Sequence, residues 1–346
     1  MGRRVLITGL ASFWGGLLAR HLEADPSVDV IVGIDTDDPV VELERTEFVR
    51  TDDSYSILAR LVRSTQVDTV IHAGLVVNSA LVPARRLHEK NVIGTMNLLA
   101  ALGAENSRVT SLVVKSSALV YGSSRRDPTW FREESRRGAP ARTVIERSLL
   151  EVEDYLRVFA EEYGAIRVAV LRCANVLGND LVTLFSRALS MKLTPTIAGF
   201  DPQLQFVEQN DVVRAIEFAV AHDLEGVYNV AGDGRLPWSE IRAIAGRPPL
   251  LMSPLWTGLS TRPLARLGLL TVPPEALDLL RFGRGIDNRK LKRAGFEYRY
   301  TTSGAVHQFI ENVRLRRVVR QPHPPYRYQG DVEAFFRRSP AIVRDQ

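Results

Sequence analysis

The chain has 346 residues, 45% of them hydrophobic and 25% charged, with a formal net charge of +5. That is enough apolar material for a substantial core, and a single cysteine, Cys173, excludes an internal disulfide scaffold. The basic residues fall in scattered pairs such as Arg85-Arg86 and Arg136-Arg137 rather than in one stripe, so no nucleic-acid partner is expected.

No apolar run is long enough for a transmembrane segment, and a cytoplasmic, reducing setting is the expectation. The expected partner is a small-molecule substrate, and no metal is expected.

In chain order, strand-like runs at 5–8, 28–35, 47–49, 69–73 and 111–116 alternate with helix-like stretches at 16–23, 57–64, 91–102 and 144–163. Apolar strands alternating with amphipathic helices predict an α/β fold, a doubly wound parallel sheet. Gly164 stops the last of these helices, and 166–171 resumes as a strand. After Gly178 the pattern loosens, and Pro248-Pro249 and Pro273-Pro274 break a Leu- and Arg-rich stretch. Residues 1–177 are therefore expected to form the nucleotide domain, completed by about 205–232 and 303–316. Residues 178–204 and 233–302 are read as a smaller substrate lobe, and 317–346 as a C-terminal surface extension.

The loop Thr8-Gly9-Leu10-Ala11-Ser12-Phe13-Trp14-Gly15 leaves the first strand and opens a helix, the context of a dinucleotide-binding turn. Gly9 permits the tight turn, Gly15 permits close helix packing, and Ser12 replaces the middle glycine, where its hydroxyl can donate to a phosphate. Asp35 ends the second strand and suits the ribose hydroxyls of NAD while repelling the 2′-phosphate of NADP, so NAD is the expected cofactor. Asp52, after the third strand, is either an adenine contact or a helix cap.

Further motifs follow in order: Ile71-His72-Ala73-Gly74, the run from Asn91 to Leu99, Lys115-Ser116-Ser117-Ala118-Leu119-Val120-Tyr121-Gly122, the run from Leu171 to Gly178, Gln205 to Val212, Gly226 to Val230, and Asp287 to Leu291 with Gly295-Phe296. With these, the chain resembles the extended short-chain dehydrogenase/reductase family, the NAD-dependent epimerase/dehydratase group, over roughly residues 3–315. The resemblance implies a Rossmann sheet with a C-terminal substrate lobe. It implies cofactor contacts from Gly9, Ser12, Phe13, Trp14, Gly15, Asp35, Asp52, Asp53, Ala73, Gly74, Asn91, Arg147, Cys173 and Asn175.

In that family a Ser or Thr polarises the substrate oxygen, a Tyr exchanges the proton, and a Lys four residues later lowers the Tyr pKa. Ser117 matches the first role, with backbone bonding at a strand end as its structural alternative. By spacing, Thr143 and Arg147 stand where the Tyr and Lys would be. Thr143 is far too weak an acid, and Arg147 stays charged and forks differently from Lys. The resemblance is thus to a divergent member, in which any proton donor would come from elsewhere.

Tyr121 and Lys115 are the candidates, Tyr121 with packing as its alternative and Lys115 because it shares a strand face with Ser117. Glu146, on an expected solvated helix face, and His72, at an expected core position, are weaker ones.

Leu204 precedes Gln205-Phe206-Val207 where nucleotide-sugar enzymes of this family commonly carry an Arg; Arg235, Arg281 and Arg284 are either compensating anion binders or surface residues. Two readings remain: an epimerase/dehydratase-like enzyme acting on a nucleotide sugar or other hydroxyl-bearing substrate, and a catalytically silent NAD-binding sensor or scaffold. By analogy a homodimer would use the helices at 91–102 and 144–163. The stretch 250–284 is either the packing of the substrate lobe or a surface that meets lipid.

Overall fold

The computed structural model describes residues 2–78, 82–254 and 274–318. The expectation for 317–346, apart from 317–318, and most of the stretch 250–284, read as either lobe packing or a surface that meets lipid, fall outside these residues. Seven parallel strands form the central sheet: β1 (Arg3–Thr8), β2 (Val28–Asp35), β3 (Glu47–Arg50), β4 (Thr69–His72), β5 (Ser111–Ser117), β6 (Arg167–Cys173) and β7 (Gly226–Val230). Their order is β7-β6-β5-β4-β1-β2-β3. The order reverses between β1 and β4, so the loops leaving these neighbours diverge and open a crevice at the carboxyl edge of the sheet.

Both faces of the sheet are covered. On one side pack α2 (Tyr55–Thr65), α3 and α4 (Val144–Glu162); on the other, α1 (Phe13–Glu23) and α6 (Gln209–Ala221). The helix α3 begins earlier than its periodicity suggests, running from Ala84–His88 through a π-helical turn at Glu89–Ile93 into Gly94–Leu102. Val5, Ile7, Ile71 and Val113 face one layer, while Leu6, Val70, Leu112 and Val114 face the other, which is the two-sided burial of a parallel sheet.

Short ladders lie outside the central sheet. Asn175–Leu177 pairs with Phe206–Glu208, Gln203–Leu204 with Leu236–Pro237, Thr194–Ile197 with Pro249–Met252, and Trp130–Phe131 with Gly285–Ile286. Five further helices accompany them: α5 (Leu184–Ser190), α7 (Trp238–Ala245), α8 (Pro274–Phe282), α9 (Arg289–Arg293) and α10 (Thr302–Val318). Trp238 is fully buried, donates its indole N–H to the Pro195 carbonyl at 2.9 Å and meets Phe185 edge-on, fixing α7 against α5. No helix among the described residues is long and apolar enough to cross a membrane.

Candidate active site

A cavity of about 560 Å³ opens at the crevice between β1 and β4 and extends to α5 and α8. Its floor depends on missing side chains. Gly9 has φ +77°, and a Cβ there would come 2.3 Å from the Gly74 Cα; a Cβ on Gly15 would come 2.2 Å from the Gly9 carbonyl oxygen. The two loops and the first turn of α1 therefore touch through backbone alone.

Ser12 caps α1: its Oγ accepts from Gly15 N at 3.1 Å and donates to the Gly9 carbonyl at 2.6 Å. In this geometry the hydroxyl proton lies toward the Gly9 carbonyl, within the loop. The first N–H groups of α1, at Phe13 and Trp14, have no intrahelical acceptor and leave an anion-binding end facing the cavity.

Asp35 sits across this loop. One carboxylate oxygen accepts from Ala11 N at 2.9 Å, the other from Thr36 N at 2.7 Å, and the group borders the cavity. Asp53 borders it as well, and burial, then the nearby charge of Asp35, raises its carboxyl above the ordinary range. Asp52 is exposed and does not itself border the cavity, although Thr51 and Asp53 do, and the N-cap residue of α2 is Ser54, which corrects the helix-cap alternative for Asp52.

Gly9, Ser12, Phe13, Trp14, Ala73, Gly74 and Asn175 border the cavity as expected. Gly15, Asn91 and Cys173 do not. Asn91 acts one layer back: its amide brackets Val76, accepting from Val76 N at 2.8 Å and donating to Val76 O at 2.9 Å, and Val76 forms part of the wall. Cys173 lies in the core beneath α6, where burial raises its thiol to about 11.

Thr143 is the N-cap of α4, its Oγ1 accepting from Glu146 N at 3.2 Å while the Glu146 carboxylate accepts from Thr143 N at 3.1 Å. That reciprocal capping box places Thr143 outside the helix, and Arg147 is exposed, donating to the Arg142 carbonyl at 3.3 Å. Neither reaches the cavity.

The inward pair one helical turn apart is Ile145 and Leu149, both fully buried, followed on the same stripe by Glu153. Glu146, expected on a solvated face, is buried and lies 3.4 Å from Arg137.

Tyr121 packs rather than reacts. It is 1% exposed, stacks on Phe131, donates to Asn229 Oδ1 at 2.7 Å and accepts from Arg172 at 2.8 Å. Burial pushes its phenol up to about 12, the wrong direction for a proton donor near neutrality. Arg172 also pairs with Glu153 at 2.6 Å, and Glu153 accepts from Ser116 Oγ at 2.6 Å, so this network ties β5 and β6 to α4.

His72 is a core residue, as anticipated. Nε2 lies 3.1 Å from Thr95 Oγ1, whose own proton goes to the Asn91 carbonyl, so Nε2 donates and Nδ1 accepts from Thr8. Burial lowers its pKa to about 4.

Lys115 and Ser117 do share a strand face and both border the cavity. Ser117 Oγ accepts from Leu119 N at 3.3 Å, leaving its proton for an oxygen in the cavity. Lys115 is 2% exposed, its Nζ 4.7 Å from the Trp14 ring centroid, and burial pulls its ammonium below the ordinary range.

Arg284, one of three candidate anion binders, is also buried and borders the cavity, a placement its Gly-rich surroundings did not signal. Arg235 instead covers Trp130, and Arg281 lies 4.0 Å from Asp278.

The features fit NAD on the evidence of the loops themselves: a glycine cradle that a Cβ would fill, an open helix end for the diphosphate, and an acid at the end of β2 for a ribose. Comparisons with known proteins agree. Residues 5–231 match the family described as the NAD dependent epimerase/dehydratase family. Uncharacterized proteins of Mycobacterium bovis and Mycobacterium tuberculosis are 32% identical over 336 residues, covering 94% of this chain and 88% of theirs.

Among solved structures, a dTDP-glucose 4,6-dehydratase of Streptomyces venezuelae with NAD bound superposes with TM-score 0.70 at 23% identity, covering 92% of this chain and 98% of that one. A UDP-glucose 4-epimerase of Thermotoga maritima with UDP-glucose gives 0.68 at 20% identity, covering 91% and 99%. The fold, the glycine cradle and the family match together lead to one conclusion: this chain belongs to the NAD dependent epimerase/dehydratase family, whose cofactor is NAD.

Proposed function

We propose that the chain is an NAD-dependent enzyme of epimerase, dehydratase or dehydrogenase type, acting on a hydroxyl-bearing substrate with a relocated proton carrier. The observation that carries this reading is the pairing of Lys115 and Ser117 on one wall of the cavity. NAD, when bound, supplies the hydride acceptor. Ser117 Oγ donates a hydrogen bond to the substrate oxygen, and Lys115 Nζ, in its neutral form, takes the hydroxyl proton. An ammonium dried by burial reaches that neutral form more readily than a solvated one.

Nucleotide sugars are the first substrates to try, since proteins of similar fold are named for them. A homodimer through α3 and α4 belongs to the same reading, supported by the exposed apolar side chains Ile93, Met96 and Val158; so does a cytoplasmic setting, supported by the single buried Cys173.

The second reading, a catalytically silent NAD-binding sensor or scaffold, is favoured by the crossover helix α4, none of whose residues borders the cavity. The two separate on one experiment. Purified protein with NAD and a panel of hydroxyl substrates should give nicotinamide absorbance changes that Ser117→Ala reduces; a melting-temperature rise with NAD and no absorbance change with any substrate would favour the silent binder.

A further inference from the structure

A buried charge is costly unless a partner replaces the water it has lost. Glu146, Asp211 and Arg284 show how this chain meets that cost: the first lies against Arg137, the second against Arg214, and the third donates to the Gly122 carbonyl. Lys115 is treated differently. It is 2% exposed, and among the described residues its Nζ makes neither a hydrogen bond nor an ion pair. What faces it is the Trp14 ring of α1, 4.7 Å away, and the Cys173 thiol of β6, which burial keeps protonated. Neither is an anion, so the nitrogen lone pair has no structural task.

The same wall carries a hydroxyl donor. Lys115 and Ser117 stand two residues apart on one face of β5, and both border the cavity. Ser117 Oγ already accepts from Leu119 N, which leaves its proton to offer. A nucleophilic nitrogen beside a hydroxyl donor matches the two ends of a carbonyl group, the electrophilic carbon and the oxygen.

We infer that Lys115 is a carbonyl-capturing nucleophile, condensing with a small aldehyde or ketone held against Ser117 to form an imine. The Nζ lone pair makes the new C–N bond while the carbonyl π pair moves onto oxygen. Both amine protons then leave with that oxygen as water, and nothing is oxidised or reduced. This goes beyond the NAD-dependent reading: it draws on the same unprotonated amine but needs neither cofactor nor hydride transfer.

The test is reductive alkylation of the full chain with acetone and cyanoborohydride at neutral pH, followed by peptide mass mapping. Hydride from the reagent converts any imine into a secondary amine that stays on its residue. The chain has five lysines, so Lys90, Lys192, Lys290 and Lys292 serve as internal references. A solvated ammonium is almost wholly protonated at this pH, and each unit by which a pKa is lowered enlarges the free-amine share about tenfold. In native protein Lys115 should therefore be alkylated about tenfold faster than any of the other four, and in urea no faster than they are. Lys115→Met should lose that label and leave the other four rates unchanged.

Native alkylation of Lys115 no faster than that of the other lysines, or an excess that persists in urea, overturns the inference. The comparison of native and unfolded wild type stands even if Lys115→Met does not fold. A melting-temperature rise with NAD, measured on the same preparation, keeps the two readings apart: its absence removes the NAD-dependent one alone, and slow alkylation with NAD still bound removes this one.

Discussion

The Lys115 ammonium stands 4.7 Å from the centre of the Trp14 indole, joining the fifth strand to the first helix across the cofactor cavity. The ring face partly compensates a charge that has lost its water. A lysine held this way is expensive to fold around and valuable only if the site uses it.

Lys115→Met should therefore leave the melting temperature unchanged or raise it, because an apolar chain of similar volume replaces a buried charge. Turnover should fall by about two to four orders of magnitude, the usual loss when acid/base help is removed. Thermal melts and substrate-driven absorbance changes on the same preparation check both. A variant that melts lower and turns over normally would make Lys115 structural.

Thr143→Ala should behave in the opposite way. Loss of an N-cap hydroxyl costs about 1 kcal/mol of stability. NAD affinity should not move, because Thr143 does not border the cavity. Urea unfolding and NAD titration of the variant measure the two effects separately.

His72 makes stability depend on acidity. Its pKa is 6.5 in the unfolded chain and about 4 in the native one. Between those values the unfolded chain binds the extra proton, so the stabilisation present above pH 6.5 drains away as pH falls toward 4. The difference is worth roughly 3 kcal/mol. Urea unfolding across that range should show the fall, and His72→Gln should flatten it by about one proton.

The sheet could be read from the chain because its strands are apolar on both faces and its turns carry glycine. Val28–Asp35 was anticipated end to end, and the other anticipated strands fell within two residues of their ends. Gly9, Asp35 and Gly74 could be located because local backbone geometry demands them. The crossover helix was anticipated from Val144, where Thr143-Val144-Ile145-Glu146 forms its capping signal; spacing alone did not show that Thr143 and Arg147 lie off the cavity. The burial of Arg284 and the packing of Tyr121, one of the two readings weighed for it, come from segments far apart in the chain, Gly122 in one case and Asn229 with Arg172 in the other. Such contacts leave no periodic trace.

The account stands or falls on where NAD lies: on Asp35 and the glycine loops, with Arg147 outside. Calorimetric titration of NAD into the wild type, Asp35→Asn and Arg147→Ala measures this directly. We expect binding by the wild type, weakening of about tenfold in Asp35→Asn, about 1.4 kcal/mol, and no change in Arg147→Ala. No binding by the wild type, or a loss in Arg147→Ala as large as that in Asp35→Asn, would contradict it.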